Sequence, residues 1–182
     1  MNYYQQKLFL AKVDNSDNII GKIERWEAHK EGVLHRGFTA ILTYQNDIVL
    51  QHRKHPAFDG YFDLTFSSHQ VYKNNHLQTD LEAIYDTLKR EWYINTDDLI
   101  EKPKYLGKFY YSAKDSQSVF TEHEIDYIYQ AELKNLPTPN SDYAYGFKLI
   151  NKSRIKNLKL KIKDFKIAPW IKEMIKEKFF VI

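Results

Sequence analysis

The order of hydrophobic and polar positions predicts mainly β-strands in the first part of the chain. KLFLAKV and NIIGKIERW are apolar stretches, and the turn formers DNSDN between them predict a hairpin. TAILTYQNDIVLQHRK repeats this pattern, with a turn at Asn46 and Asp47. Another strand should follow Gly60, and two more are predicted by KYLGKFYYSA and EIDYIYQAEL, whereas LPTPNSD is typical of a loop.

One helix is predicted in the middle of the chain, beginning near Thr79. TDLE has the form of a capping box, because Thr79 is followed three residues later by Glu82. Apolar residues then recur at helical spacing, at Leu81, Ile84, Leu88 and Trp92. Few helices among many strands predict an α/β or α+β fold with a mixed sheet.

The chain becomes basic from Asn151 onward. In NKSRIKNLKLKIKDF the lysines alternate with Ile and Leu, which predicts a strand with one solvated face, and APWIKEMIKEKFF predicts a helix. Aromatic residues are not interleaved with the basic ones, as they are in proteins that bind single-stranded nucleic acid. We therefore expect residues 151–182 to be a packed terminal strand and helix, and we expect no nucleic-acid partner.

Composition narrows the class of protein further. A chain of 182 residues with 43% hydrophobic and 15% aromatic content can bury one substantial core, so we expect a single domain over residues 1–182. The absence of Cys excludes disulfides, thiolate metal ligands and a catalytic thiol. Because no apolar run is long enough to span a bilayer and the first residues lack signal-peptide order, we expect a cytoplasmic protein with no membrane partner.

Glu91 does not fit a purely structural helix. It lies beside Ile84 and Leu88 on the apolar stripe rather than on the solvated face. A carboxylate in this position either reaches solvent past the end of the helix or is held by a cation.

Histidines and glutamates form a candidate metal site. In TEHEIDYIYQ, Glu122 and Glu124 are two apart, so on a strand they share a face, where they repel each other unless solvated or bound to a metal. Three imidazoles, those of His29, His35 and His69, would complete a shell for Mn, Fe, Co or Zn more readily than for Mg. The alternative is that these are unrelated surface residues.

DLTFSSHQV raises a further question, because a buried strand ends in two serines and a histidine. Ser67 could be a nucleophile, a neighbour of a metal site, or a residue that caps the end of a strand. The first interpretation is disfavoured, because no glycine-rich elbow surrounds Ser67 and His69 points the same way along the strand without reaching it.

Together these residues resemble the type I isopentenyl-diphosphate isomerases of the Nudix superfamily. The resemblance runs from about Val13 to Trp170 and is carried by KVDNSDNIIGKIERWEAHKEGVLHRGF, GYFDLTFSSH, the Glu-x-Glu pair and a late Pro-Trp. It implies a Nudix fold, in which a mixed β-sheet is sandwiched between helices. It also implies five metal ligands, which are His29, His35, His69, Glu122 and Glu124.

The resemblance assigns roles to four residues. Glu124 matches a metal ligand that also serves as acid or base, and Ser67 stands where the family has its catalytic Cys. Tyr111 matches an active-site Tyr, and Trp170 would stabilise a carbocation-like state through its ring face. The implied reaction interconverts isopentenyl and dimethylallyl diphosphate, at a reduced rate because a hydroxyl is a poorer acid than a thiol.

The resemblance also implies how an isoprenoid diphosphate would be bound. Arg25, Arg53 and Lys54 match basic positions of the family, and Glu91 matches a helix glutamate that holds Mg with the substrate diphosphate. The main site would hold Mn, Zn or Mg. Thr87 stands where the family has a phosphate-binding arginine, and Lys89 and Arg90 are the candidates to replace it.

Two other functions remain as alternatives. A Nudix hydrolase acting on a nucleoside or other diphosphate would need several helix glutamates, of which only Glu91 is present in DTLKREWYI. A non-catalytic descendant would bind an isoprenoid diphosphate, or keep its metal for stability alone. The retention of Tyr111 and Trp170 argues against the second alternative, because a purely structural metal site would not need them.

Overall fold

A nine-stranded mixed sheet is the centre of the computed structural model, which describes residues 3–155, 166–177 and 179. The strands of this sheet are β1 (Phe9–Val13), β2 (Ile19–Glu24), β3 (His35–Tyr44), β4 (Asp47–Arg53), β5 (Phe62–Leu64), β6 (Phe66–Ser68), β9 (Lys104–Lys114), β10 (Thr121–Glu132) and β11 (Ala144–Asn151). A separate small hairpin consists of β7 (Tyr72–Lys73) and β8 (His76–Leu77).

The helices are short apart from one. They are α1 (Arg25–Glu31), α2 (Asp80–Trp92), α3 (Lys152–Ile155) and α4 (Pro169–Lys176), with 3₁₀ turns at Tyr3–Gln5 and Thr96–Asp98. Among the helices of the described residues, none combines the length and the apolar character needed to cross a membrane.

Strand β3 organises the sheet. It pairs in parallel with β10 from His35 and Glu124 through Thr43 and Glu132, and β10 pairs antiparallel with β9. On its other side β3 pairs antiparallel with β6, β1 and the start of β4. Because β3 and β10 have helices at both faces, each is buried along most of its length.

Neighbouring residues of these strands alternate between two cores. Ile41 and Ile128 pack with Trp170 and Met174 of α4, whereas Ala40, Leu42 and Tyr129 pack on the face covered by α2. The cores therefore lie on opposite sides of one sheet, as expected for a mixed sheet sandwiched between helices.

Most of the predicted elements are confirmed. Both hairpins and the strands β9 and β10 are present, and α2 begins at the predicted capping box, where Thr79 and Glu82 bond reciprocally. The second hairpin turns one residue early, because Gln45 adopts a left-handed conformation and Asp47 already belongs to β4. The strand after Gly60 is split into β5 and β6 by Thr65, which has a φ of 58°.

One boundary prediction was wrong, and one strand was not predicted. NIIGKIERW does not stay extended to its end, because α1 begins at Arg25, where the Glu24 side chain accepts hydrogen bonds from the amides of Trp26 and Glu27. Strand β11, which pairs with β4, was not predicted from the sequence.

The basic C-terminal segment is described only in part. The strand predicted from alternating lysines is wrong at its start, because Lys152–Ile155 form helix α3, where the Asn151 side chain accepts from the Ser153 amide, and residues 156–165 lie outside the described residues. The helix predicted from APWIKEMIKEKFF is confirmed as α4, which has a proline at its N-terminal end and buries Trp170, Ile171 and Met174.

The capping box of α2 gives a test of the fold. Thr79→Ala removes the hydroxyl that accepts from the Glu82 amide, so we expect the free energy of unfolding to fall by about 1 kcal/mol. Thr79→Ser keeps the hydroxyl and should stay close to the natural value. Urea unfolding followed by circular dichroism measures both, and equal stability of the Ala and natural chains would contradict the assignment.

Candidate active site

The register of three strands places three functional side chains in a row. His35 of β3 lies opposite Glu124 of β10, and Glu124 lies opposite Tyr111 of β9. Residues at alternate positions of β10 share a face, so Glu122 and Asp126 extend the row along the strand. A run of acidic residues with period two thus becomes a buried acidic stripe.

The remaining histidines come from α1 and the end of β6. Helix α1 ends at Gly32, whose φ of 60° lies in the left-handed region that favours glycine, and this turn leads the chain back into β3. His29 therefore faces the start of β3 from the helix above it. His69 follows β6, which pairs with β3 at Thr39.

Three imidazoles and one carboxylate form a compact cluster. In His29, His35, His69 and Glu122, one ligand atom of each residue lies within 4.8 Å of the others. Glu124 borders this cluster, because its Oε1 is 2.8 Å from His69 Nε2 and 3.4 Å from His35 Nε2. The structure thus brings all five predicted ligands together.

Two of the histidines are oriented by backbone carbonyls. His29 Nδ1 is 2.6 Å from the Arg25 carbonyl, and His35 Nδ1 is 2.7 Å from the Val33 carbonyl. A carbonyl accepts only, so each Nδ1 carries a proton and donates it, which leaves Nε2 to face the cluster. This is the arrangement by which proteins fix the tautomer of a metal-binding histidine.

The cluster fits a divalent ion better than it fits hydrogen bonding alone. His29 Nε2 lies 3.1 Å from Glu122 Oε2, yet both atoms are buried without a hydrogen-bond partner. Buried polar atoms of this kind need a partner, and nitrogen and oxygen donors together suit Mn, Co or Zn. The observed geometry therefore supports a metal site, without selecting the ion.

Burial and neighbouring charges shift the titration of the cluster. Burial by itself lowers the pKa of His29, but the Glu122 carboxylate, together with the Arg25 carbonyl and the Glu124 charge, raises this pKa to about 8. For His69, burial lowers the pKa to about 4 against the opposing effect of Glu124. Burial opposes ionisation of Glu124 itself, yet the adjacent His35 and His69 imidazoles hold its pKa well below the usual range. Glu124 is therefore a carboxylate at neutral pH.

Tyr111 is a hydrogen-bond donor to this carboxylate. Its hydroxyl lies 2.5 Å from Glu124 Oε2, and burial, reinforced by the nearby Glu124 charge, raises the pKa of Tyr111 well above its usual range. The phenol therefore keeps its proton and points it at the carboxylate oxygen that faces away from the histidines.

Ser67 belongs to a chain of hydrogen bonds that the sequence analysis did not foresee. Its Oγ is 2.8 Å from Thr39 Oγ1, which donates to Asp126 Oδ2 at 2.8 Å. Burial and the Glu124 charge raise the pKa of Asp126 well above its usual range. The signal for Asp126 was present in EHEID, where acidic residues continue at alternate positions after Glu124.

Trp170 and Arg53 form the opposite wall. The Trp170 indole N–H donates to Asp63 Oδ1 at 2.8 Å, and Arg53 pairs with Asp63 Oδ2 at 2.7 Å. The Arg53 guanidinium also lies 5.1 Å from the Trp170 ring. The predicted arginine is thus at the site, but its charge is already balanced by a buried carboxylate.

Two small adjoining cavities join these residues. One, of 10 Å³, is lined by Arg53, Ser67, Tyr111, Glu124 and Trp170, among others, and the other, of 20 Å³, by Arg25 and Glu91, among others. Lys54 lies in neither wall, because its ammonium group donates to the Ser141 carbonyl at the surface. The structure does not bring Lys54 to the predicted site.

His55 reaches both cavities in place of Lys54 and was missed. Its Nδ1 lies 3.0 Å from both the amide and the carbonyl of Ala57. Arg53 already donates to that carbonyl, so the tautomer that satisfies every group accepts from the amide and carries its proton on Nε2. The shift from Lys54 to His55 follows from the direction in which the chain leaves β4. Sequence spacing does not define that direction.

The chain is similar to proteins named as isomerases. It is 30% identical to isopentenyl-diphosphate Delta-isomerase 1 of Mesocricetus auratus, over 94% of this chain and 84% of the relative. It is 31% identical to the protein of that name from Bos taurus, over 87% of this chain and 76% of the relative. A bacterial relative with this name, from Photorhabdus laumondii, is 28% identical over 88% and 89%. No protein-family model matches the chain.

Solved structures share the Nudix fold. A Deinococcus radiodurans protein superposes with a TM-score of 0.67 at 16% identity, covering 93% of this chain and 98% of that one. A MutT protein from Methanosarcina mazei gives a TM-score of 0.58 at 10% identity, covering 80% and 92%. A MutT Nudix hydrolase from Burkholderia pseudomallei gives a TM-score of 0.53 at 14% identity, covering 79% of this chain and 96% of that one. These likenesses establish the fold alone.

Gly37 offers a test of the cluster that leaves its ligands intact. A Cβ at this position would lie 2.4 Å from Glu124 Oε1, so Gly37→Ala must push the carboxylate aside. We expect Co²⁺ affinity to fall by about tenfold or more, measured by isothermal titration calorimetry. Gly21→Ala is the matched control, since its Cβ would meet nothing within 4 Å. Equal affinities in the two variants would contradict the proposed metal geometry.

Proposed function

The chain belongs to the isopentenyl-diphosphate Delta-isomerase family, and from this premise we propose that it is a metal-dependent isomerase of isopentenyl and dimethylallyl diphosphate. One observation carries the proposal. The three histidines, the two glutamates, Tyr111 and Ser67 converge from five separate elements on one buried centre. A binding protein would have no need of an acid–base pair beside its metal ligands.

The metal would be held by the five clustered side chains. His29, His35 and His69 supply nitrogen ligands, and Glu122 and Glu124 supply oxygen ligands. When bound, the ion would offset the charge of the two buried carboxylates and fix their positions. The nitrogen-rich donor set favours Mn or Zn over Mg.

Isomerisation requires one proton to be added and another to be removed. The terminal methylene carbon of isopentenyl diphosphate gains a proton, and the carbon next to the CH₂O group loses one. The double bond, which joined the branched carbon to the terminal carbon, then joins the branched carbon to the carbon that lost the proton. We assign the two transfers to Ser67 on one side and Glu124 on the other. Tyr111 would hold the Glu124 carboxylate in position and share its proton, and the Trp170 ring would stabilise the tertiary cationic state.

Ser67 makes this isomerase slower than one with a thiol. A hydroxyl releases its proton far less readily, and general acid–base catalysis contributes about 10²–10⁴ in rate. The hydrogen-bonded chain through Thr39 to Asp126 supports the assignment, because it gives Ser67 a route to exchange its proton with the protein interior.

The diphosphate would be bound at the second cavity. Arg25 lies in its wall, buried, with an Nε that has no hydrogen-bond partner, and Arg53 has a similar unpartnered Nε in the wall of the first cavity. We propose these two guanidinium groups as the anion-binding residues. Lys54 is less suited to this role because it points to the surface.

Nudix hydrolysis is a weaker alternative. The other acidic residues of α2 are engaged away from Glu91, since Asp80 pairs with Gln70 and Tyr129, Glu82 with Thr79, and Asp86 with Lys73 and Gln78. Glu91 is thus the one acidic residue of this helix in the cavity walls described. A hydrolase would need more than one carboxylate there to collect the metal ions that activate water.

Deuterium exchange tests the proposal directly. Isopentenyl diphosphate is incubated with the protein in heavy water with Mn²⁺ and Mg²⁺, and incorporation is followed by NMR. We expect slow exchange in the natural chain, exchange about 100-fold faster in Ser67→Cys, and none above background in Glu124→Gln.

Ser68→Cys is the positional control, because it adds a thiol one residue away from the proposed acid. It should not accelerate exchange. If neither the natural chain nor Ser67→Cys exchanges deuterium while both still bind the metal, the isomerase proposal fails, and a binding function becomes the better account.

A further inference from the structure

Glu91 is not arranged like a ligand awaiting a metal ion. Its Oε1 is 2.9 Å from Arg90 Nη2, and its Oε2 accepts from Gln51 Nε2 at 3.3 Å. Both oxygens therefore already have partners. A divalent ion at Oε1 would also be repelled by the guanidinium charge at the same oxygen. The second ion that the family resemblance implies does not fit these residues.

Arg90 lies beside Glu91, a wall residue of the 20 Å³ cavity, and the small side chain of Thr87 leaves room for it. The guanidinium folds back over the helix, with Nη2 3.1 Å from Thr87 Oγ1 and 3.5 Å from Ser68 Oγ. A longer side chain at position 87 would occupy this space. Lys89, the neighbouring cation on α2, is exposed. Arg90 therefore places its positive charge where the family resemblance implies an arginine at the position of Thr87.

The Arg90 guanidinium is held in place but not saturated. Its central carbon lies 3.8 Å from the centre of the Tyr3 ring and 5.8 Å from that of Tyr143, so two aromatic faces restrain it. Its Nε is buried without a hydrogen-bond partner. A planar, preorganised guanidinium whose Nε–H has no partner is suited to phosphate oxygens.

We infer that Arg90, rather than a second divalent ion, is the cation beside Glu91 and binds the phosphate end of the substrate. This inference rests on the proposed function, since it assumes a diphosphate substrate. It assigns Arg90 as a specificity-determining residue in an isomerase that uses one metal ion per chain.

Substrate entry then requires the N-terminal segment to move. Tyr3 and Tyr4 line the 20 Å³ cavity, which is far smaller than a diphosphate group. The carbonyls of Tyr3 and Gln6 also accept hydrogen bonds from Arg25. An incoming phosphate would accept the Arg25 hydrogen bonds in place of these carbonyls, and Tyr3 would move off the Arg90 guanidinium.

The test measures binding of inorganic diphosphate in the absence of free metal. The full chain is loaded with one equivalent of Co²⁺, excess ion is removed by gel filtration, and diphosphate is titrated by calorimetry without Mg²⁺. We expect the natural chain to bind, and Arg90→Ala to bind at least about tenfold more weakly. Added Mg²⁺ should restore much of the binding in Arg90→Ala, because Glu91 is then free to hold an ion.

Two further variants control the experiment. Lys89→Ala removes an exposed cation from the same helix and should bind diphosphate like the natural chain. Arg90→Gln keeps a donor for Glu91 without the charge, so it remains informative if Arg90→Ala does not fold, and it should also lose at least about tenfold in affinity.

Two results would overturn the inference. One is a natural chain that binds diphosphate only after Mg²⁺ is added, which needs no variant to observe. The other is an affinity in the Arg90 variants equal to that of Lys89→Ala. Deuterium exchange into isopentenyl diphosphate by the Co²⁺-loaded natural chain is a separate readout. If the natural chain exchanges deuterium but the Arg90 variants bind diphosphate as well as it does, the role of Arg90 is rejected and the isomerase proposal stays in place.

Discussion

The contact of two buried glutamates with three imidazoles is the interaction on which the rest of the structure depends. Glu122 and Glu124 lie two residues apart on one strand, and both are buried. Like charges at this separation are costly in a protein interior unless cations or hydrogen bonds compensate them. The parallel register of β3 with β10, the left-handed turn at Gly32 and the absence of a side chain at Gly37 all serve to bring that compensation within reach.

Much of the fold could be predicted because its signals are local. The Thr79 capping box defines the start of α2, and alternating residues in β9 and β10 define which side chains share a face. The candidate metal ligands were proposed from a different kind of signal. Charged residues on an otherwise apolar strand mark Glu122 and Glu124 as candidates, but the strand pattern alone is a weak signal, and the set of five ligands followed from the histidines and the family resemblance.

The remaining features depend on contacts that spacing does not encode. Helix α1 has a glutamate at its N-cap, which is not among the preferred capping residues, so its start at Arg25 was hidden inside a strand-like pattern. His55 rather than Lys54 reaches the cavities, because the chain turns as it leaves β4. Arg90 folds back over Thr87 and is packed there by Tyr3, from the far N-terminus. The contact of Tyr3 with Arg90 is long-range, whereas the other two features arise from local turns of the chain.

The central claim is that the buried histidines and glutamates form one metal centre. X-ray absorption spectroscopy of the Mn²⁺-loaded chain at the manganese edge tests it most directly, because it reports the number and type of ligand atoms. We predict a single class of ion with three imidazole ligands and carboxylate oxygens completing the shell. A spectrum with oxygen ligands alone, or with one imidazole or none, would contradict this account.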